Sequence, residues 1–108
     1  RVGYARGPEI AKRLEENNII CNYQATPDEE GFTASGALRM GVNEMTRFGF
    51  GEKEFAQLAS LMADCILRGK EIGPDVAKLR ARYLEMGYCF NDEQFEAALE
   101  KLAAKAGL

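Results

Sequence analysis

The sequence predicts an α/β (α+β) fold in which a small antiparallel sheet packs against helices and a helical tail follows. Two short runs, residues 19–23 and 37–42, have the composition of strands. Other segments carry apolar residues at three- and four-residue intervals, which is typical of amphipathic helices. We expect residues 1–70 to form the α/β core and residues 71–108 to form a helical C-terminal tail of the same domain.

Length and charge limit the class of protein. With 108 residues, of which 46% are hydrophobic, the chain is long enough for one modest core. Its 14 basic and 17 acidic residues give a net charge of −3 without a basic stripe, so we expect neither nucleic acid nor a membrane as a partner. No membrane-length apolar run and no signal-peptide pattern occurs, and we therefore expect a cytoplasmic protein.

The cysteines and the absence of histidine limit the kinds of active site and metal site that this chain could form. Cys21, Cys65 and Cys89 are widely separated and have apolar neighbours, which predicts small buried thiols rather than a disulfide or a metal site. Without histidine, a Ser-His-Asp or Cys-His nucleophile cannot be built. Glycine motifs that bind phosphates or dinucleotides are also missing. We expect no catalytic residue, cofactor-binding residue or metal ligand in this chain.

The first predicted helix begins at the Gly-Pro-Glu sequence of residues 7–9. Proline suits the first helical turn, whose donors lack helical partners, and the acid complements the positive end of the helix dipole. Ile10 and Leu14 lie one turn apart on one face, and the asparagines at residues 17–18 end the helix.

Two strands are predicted to follow this helix. Residues 19–23 are rich in β-branched and aromatic side chains, and the second strand lies near residues 37–42. Between them, residues 25–31 combine proline, acids and glycine, which predicts a loop. We expect the two strands to pair antiparallel.

The longest predicted helix follows a glycine-rich hinge at residues 49–51. Its apolar stripe extends from Phe55 to Ile66, and it ends at Arg68 and Gly69, a basic last turn with a left-handed cap. We interpret this stripe as core packing.

Two further helices are predicted in the tail. A second Gly-Pro-Asp start at residues 73–75 predicts a helix that ends at Gly87, with Tyr83 and Met86 on one side. Asn91, with a glutamine three residues later, predicts the capping box of a final helix. We interpret the charged residues of both helices as solvated faces.

Residues 33–50 contain the candidate binding residue. Gly36 and Gly41 flank Arg39, so that a backbone or a ligand can approach closely. The planar guanidinium forms two parallel hydrogen bonds to a carboxylate or phosphate, which makes Arg39 a candidate anion-binding residue. An edge-strand arginine that extends into solvent is the alternative.

A set of short motifs occurs in order along the first two thirds of the chain. They are Leu14-Glu15-Glu16, Asn18-Ile19-Ile20, Asn22-Tyr23-Gln24, Pro27, Ser35-Gly36, Arg39-Met40-Gly41, Thr46-Arg47 and Gly49. Their succession, followed by an acidic amphipathic helix, resembles the C-terminal domain of serine hydroxymethyltransferase. The likeness covers most of residues 7–68.

The resemblance implies a pyridoxal-phosphate transferase of fold-type I, the aspartate-aminotransferase-like fold. Such an enzyme interconverts serine and glycine in one-carbon metabolism, uses a tetrahydrofolate-type carrier and works as a homodimer. The arginine that binds the amino-acid carboxylate maps onto Arg39. The folate-contacting amide, usually asparagine, maps onto Gln24.

In this family the cofactor lysine lies in the preceding large domain. None of the six lysines here has the serine- and threonine-rich surroundings of such a lysine. We therefore expect a C-terminal fragment of a glycine hydroxymethyltransferase that supplies Arg39 and Gln24 and is inactive in isolation.

Two departures from the family pattern leave alternatives open. The spacing from Gly36 to Arg39 is one residue longer than usual, which predicts a bulge or a changed register, and Val42 replaces a threonine. The small domain of a threonine aldolase or another fold-type I enzyme is one alternative. Another is a non-catalytic interaction module with Arg39 and Arg47 as anchors for an acidic partner. For Arg47, a buried ion pair or a helix-terminus contact is favoured over substrate contact.

Overall fold

The computed structural model describes residues 2–29 and 34–108. The elements within these residues are α1 (Gly7–Glu16), β1 (Asn22–Gln24), β2 (Ala37–Arg39), α2 (Asn43–Arg47), α3 (Glu52–Arg68), α4 (Gly73–Arg80) and α5 (Asp92–Ala106). The two strands pair antiparallel. The predicted mixed α+β class is therefore confirmed, while parts of the predicted loop at 25–31 and of the stretch at 33–50 lie outside the described residues.

The core lies where α1, α3 and the start of α4 meet. Ile10 and Leu14 of α1 are completely buried against Cys65 of α3 and against Ile72 and Val76. The predicted inner face of α1 is thus confirmed. Because Ile72 and Val76 follow residue 70, the tail contributes to the same core.

The apolar stripe of α3 is less buried than expected. Cys65 is the buried residue of this helix, and Leu61, Met62 and Ile66 pack against the core while remaining partly exposed. Near its start, Phe55 instead contacts the buried Phe50, with ring centroids 5.4 Å apart. The helix ends at Gly69, whose φ of 65° is the left-handed cap that the sequence predicted.

Asn17 joins the end of α1 to the start of α4. Its buried side-chain oxygen accepts hydrogen bonds from the backbone N–H groups of Ile72 at 2.6 Å and Gly73 at 2.9 Å. Its amide nitrogen donates to the carbonyl oxygen of Arg13 at 3.0 Å. Both polar atoms of this buried amide are therefore hydrogen-bonded. Asn17 is the C-cap residue of α1, and its side chain also caps the start of α4.

Both strands are shorter than predicted. The chain leaves α1 through Asn18, which has a positive φ of 68°, and the N–H of Ile19 still donates to the carbonyl oxygen of Leu14. Ile19 therefore belongs to the helix end, and the paired strand begins only at Asn22. The second strand ends at Arg39, and a short helix, α2, that the sequence analysis missed begins at Asn43.

The predicted helix over residues 73–87 is wrong beyond Arg80. The chain turns there because the Arg80 guanidinium donates to the carbonyl oxygen of Tyr83, while the Tyr83 hydroxyl donates to Glu54 at 2.8 Å. The N–H of Gly87 then donates to the carbonyl oxygen of Arg47 at 2.5 Å. The local Arg80 bond and the two long-range contacts, Tyr83 with Glu54 and Gly87 with Arg47, together outweigh the helical pattern.

The final helix, α5, has the predicted capping box. The Asn91 side chain accepts from the N–H of Gln94 at 2.8 Å, and the Gln94 side chain accepts from the N–H of Asn91 at 3.1 Å. No residue of α5 is fully buried, and Phe95 and Leu102 are more than half exposed.

Candidate functional site

The β1–β2 ribbon places both predicted binding residues on one face. Asn22 pairs with Arg39, and Gln24 pairs with Ala37. Directly paired residues of an antiparallel ribbon point to the same side, and alternate residues of a strand do so as well. All four side chains therefore share a face, while Leu38 points to the other side and packs against the core. The three described pairs run without a bulge.

An open groove lies along this part of the ribbon. Its lining residues come from the end of β1, the following loop and β2: Gln24, Ala25, Thr26, Pro27, Ala37, Leu38, Arg39 and Met40. Most of the lining is apolar, and Arg39 supplies its positive charge. The structure thus brings Gln24 and Arg39 together in one groove.

The guanidinium of Arg39 is exposed and has no ion-pair partner among residues 2–29 and 34–108. The ion pairs in that part of the chain involve other cations, namely Arg6, Lys12, Arg13, Arg68 and Lys70. Because a guanidinium is always charged and has five N–H donors, an unpaired one at a groove is suited to bind an anion.

Of the two glycines that flank Arg39, Gly36 is required by close packing. A Cβ atom there would lie 2.5 Å from the carbonyl oxygen of Gly3 and 2.6 Å from a carboxylate oxygen of Glu29. Around Gly41, the described residues leave open space. The predicted close approach therefore occurs at Gly36, where the approaching groups are the Gly3 backbone and the Glu29 side chain of the same chain.

Glu29, a residue that was not predicted to have a role, joins the loop after β1 to the residue before β2. One carboxylate oxygen accepts from the N–H of Thr26 at 2.5 Å, and the other accepts from the N–H of Gly36 at 3.1 Å. We call this arrangement the Glu29 latch. The sequence signal for this role is weak: Glu29 directly follows Pro27 and Asp28 in the loop, but its partner Gly36 lies seven residues further along the chain.

Comparison with curated proteins decides the relationship. The chain is 39% identical over 90 residues to serine hydroxymethyltransferase of Pyrobaculum arsenaticum and 35% identical over 108 residues to that of Saccharolobus islandicus. These alignments cover 81% and 95% of the chain. The chain is a partial homologue of serine hydroxymethyltransferase. It spans only 21% and 24% of the length of these two relatives.

A third serine hydroxymethyltransferase, from Methanothermobacter thermautotrophicus, is 34% identical over 91 residues, covering 82% of the chain and 22% of the relative. The resemblance to this family that the ordered motifs indicated is thus confirmed. No family model matches the chain. No solved structure matches it either.

Arg47, the second arginine of the serine hydroxymethyltransferase motifs, does not line the groove. It lies in the last turn of α2, where its positive charge complements the helix dipole. Its guanidinium stacks over the ring of Tyr88 at 5.3 Å from the ring centre. The exposed position of Arg47 contradicts a buried ion pair, its place in the last turn agrees with the helix-terminus alternative, and the contact with Tyr88 was not predicted.

The lysines of this serine hydroxymethyltransferase homologue do not fit a pyridoxal-phosphate attachment site. All six are exposed: Lys12, Lys53, Lys70, Lys78, Lys101 and Lys105. A lysine that forms a Schiff base needs burial or a neighbouring positive charge to lower its pKa. Exposed lysines on helices and turns lack that environment.

The cysteines are less uniform than predicted. Cys65 is buried and Cys21 is half-buried, and burial raises the pKa of both thiols. Cys89 is exposed, which contradicts the prediction, because its apolar neighbours Tyr88 and Phe90 are themselves exposed. Among residues 2–29 and 34–108, no three acidic, cysteine or histidine side chains cluster as metal ligands. None of the helices in that range is long and apolar enough to span a membrane.

Proposed function

We propose that this chain is the C-terminal domain of a pyridoxal-phosphate-dependent serine hydroxymethyltransferase and that Arg39 binds the carboxylate of the amino-acid substrate. The observation that carries this proposal is the exposed guanidinium of Arg39, which forms no ion pair within residues 2–29 and 34–108 and lies in the groove that Gln24 also lines. Homology to serine hydroxymethyltransferases supports the proposal, and the reaction that we propose for the complete enzyme is the interconversion of serine and glycine with a tetrahydrofolate-type carrier.

The role of Arg39 is to orient the substrate. A bidentate pair between guanidinium and carboxylate fixes the amino acid in position and direction. With the carboxylate held, the bonds at the α-carbon adopt a defined angle to the reacting centre, which lowers the entropic part of the barrier. This role requires no proton transfer by Arg39.

Gln24 is proposed to contact the folate carrier. Its side-chain amide offers both a donor and an acceptor, as the asparagine of the family does. Apolar side chains of Ala25, Pro27 and Met40 line the groove beside it. An apolar groove with few polar groups is the usual setting for a flat organic ligand.

Pyridoxal phosphate, when bound, would act as the electron sink of the reaction. Because the lysines here do not fit its attachment, we assign the cofactor to a part of the enzyme outside this chain. We further propose that the complete enzyme has the aspartate-aminotransferase-like fold and forms a homodimer. Residues 1–70 would be its small-domain core and residues 71–108 the helical tail.

The test compares substrates with and without a carboxylate in the full-length enzyme. Arg39→Lys keeps the charge but loses the planar fork, so turnover of the amino acid should fall, and Arg39→Ala should reduce it more. Loss of one partner of a desolvated charge pair costs about 2–5 kcal/mol. The loss should shrink for the corresponding amino-acid amide, while cofactor content stays unchanged.

Arg68→Lys is the matched control, since Arg68 is a helix-surface arginine paired with Asp64 outside the groove. It should leave both reactions unchanged. Equal losses for the acid and the amide in the Arg39 variants would contradict the assignment.

A further inference from the structure

We propose that Glu29 is a positioning residue for recognition of the folate carrier, because its carboxylate fixes the loop beside Gln24. This inference rests on the proposed function and deepens it. Glu29 is proposed to shape the groove wall beside Gln24, whereas Arg39 is proposed to bind the amino-acid carboxylate.

The latch holds the loop by two backbone groups. Thr26 follows Gln24 by two residues and lines the groove, and its N–H donates to Glu29 at 2.5 Å. Gly36 directly precedes β2, and its N–H donates to the other oxygen at 3.1 Å. Both oxygens of an ionised carboxylate accept, and such charge-assisted bonds are stronger than neutral ones.

The Glu29 carboxylate lies close against the backbone at Gly36. Its Oε1 atom occupies the space that a Cβ atom on Gly36 would need, only 2.6 Å from that position. The N–H of Val2 donates to the carbonyl oxygen of Gly36 at 2.7 Å, so the backbone at Gly36 is itself fixed. The latch therefore joins Thr26, in the loop after β1, to a backbone position that is itself hydrogen-bonded.

The two binding residues depend on the latch to different degrees. Arg39 is held in β2 by its pairing with Asn22, and its neighbour Leu38 is anchored in the core. Gln24 pairs with Ala37, but it is the last residue of β1, and the loop that the latch holds starts at the next residue. Release of the latch should therefore displace Gln24 and the groove wall more than Arg39.

Glu29→Gln is the decisive variant, tested in the full-length enzyme. The amide has the same shape, but its NH2 group would face a backbone N–H, so one of the two bonds is lost and two donors oppose each other. We expect the KM for tetrahydrofolate to rise roughly tenfold. The KM for serine should change by less than about twofold, since Arg39 stays in place.

Glu15→Gln is the matched control, because it removes one negative charge from an exposed position of α1 away from the groove. It should leave both KM values unchanged. Hydrogen exchange at the N–H groups of Thr26 and Gly36 should become faster in Glu29→Gln and not in the control.

An unchanged KM for tetrahydrofolate in Glu29→Gln would overturn the inference. So would an equal rise of both KM values with a lowered melting temperature, which would indicate general loosening of the fold. If the wild-type enzyme shows no folate-dependent turnover at all, the proposed function fails and this inference with it. An active wild type with an insensitive Glu29→Gln variant removes the inference only.

Discussion

Gln24 and Arg39 are diagonal neighbours on one face of the β1–β2 ribbon, because Arg39 pairs with Asn22 while Gln24 pairs with Ala37. Diagonal positions of an antiparallel pair lie about 7–8 Å apart. Two ligands that meet above this face, an amino acid at Arg39 and a one-carbon carrier at Gln24, would therefore be close enough to react. Under the proposed function, the two recognition tasks would be divided between residues on different strands.

Substitution of Gln24 should separate the folate-dependent from the folate-independent reaction. In the full-length enzyme, Gln24→Ala removes one neutral side-chain hydrogen bond and should weaken folate-dependent turnover by about 0.5–1.5 kcal/mol. Cleavage of a β-hydroxy amino acid that needs no folate should remain nearly unchanged. Steady-state kinetics of both reactions provide the measurement, and a parallel decline would mean that Gln24 has a structural role.

The 108-residue chain should form no specific internal aldimine with pyridoxal phosphate, because all six of its lysines are exposed. Borohydride reduction followed by peptide mapping should find only scattered, substoichiometric labelling. The full-length enzyme serves as the positive control. Stoichiometric label on one of the six lysines would refute the expectation.

Removal of the Asn17 amide should destabilise the fold. In Asn17→Ala, the buried N–H groups of Ile72 and Gly73 lose their acceptor, and leaving such groups unpaired costs about 2–3 kcal/mol. Urea unfolding gives the difference in free energy. The control is Asn22→Ala, an exposed asparagine that accepts only from the next N–H, and it should stay within about 0.5 kcal/mol of wild type.

The pair of Glu54 and Tyr83 should make stability depend on pH. Hydrogen bonds from the Gly51 N–H and the Tyr83 hydroxyl lower the pKa of Glu54 below its ordinary 4.5, and the same pair raises the pKa of Tyr83 above 10.0. A carboxyl group whose pKa is lower in the folded state stabilises the fold when the pH is above its pKa in the unfolded state. This stabilisation is lost as the pH falls through its pKa in the folded state.

The measurement for this pair is the melting temperature of wild type and Glu54→Gln as a function of pH. The wild type should be the more stable protein near neutral pH, and the difference should shrink as the pH falls below about 4.5. At the alkaline end, the raised Tyr83 pKa stabilises the fold below about pH 10, and that contribution is lost as the pH rises further. A difference independent of pH would exclude the charge of Glu54 as its origin.

Elements with strong local signals could be predicted from the sequence. The helices α1 and α3 were found because proline, acidic first turns and a glycine cap act on the backbone directly. Arg39 and Gln24 were identified from motifs, and the predicted antiparallel pairing brings them to one groove.

Features that depend on distant partners could not be predicted. The helical pattern continues past Arg80, yet the Tyr83 contact with Glu54, 29 residues away, ends α4 early. Strand composition continues back to Ile19, but Asn18 turns the chain with a positive φ and Ile19 still donates to α1. Ile20, which was expected in the strand, is 86% exposed. Glu29 was missed for the same reason, since its Gly36 partner has no local signature.

The bond between Asn17 and the start of α4 has a consequence for folding order and for truncation. The two donors, Ile72 and Gly73, lie 55 and 56 residues after Asn17 in the chain. Closing this contact therefore carries the entropic cost of a long loop. We therefore expect α1 to acquire its final packing late, only after α3 has formed and brought residue 72 back. A chain that stops before Ile72 would leave the side-chain oxygen of Asn17 without either of its backbone donors and would also lack Ile72 and Val76 of the core, so truncation there should destabilise α1.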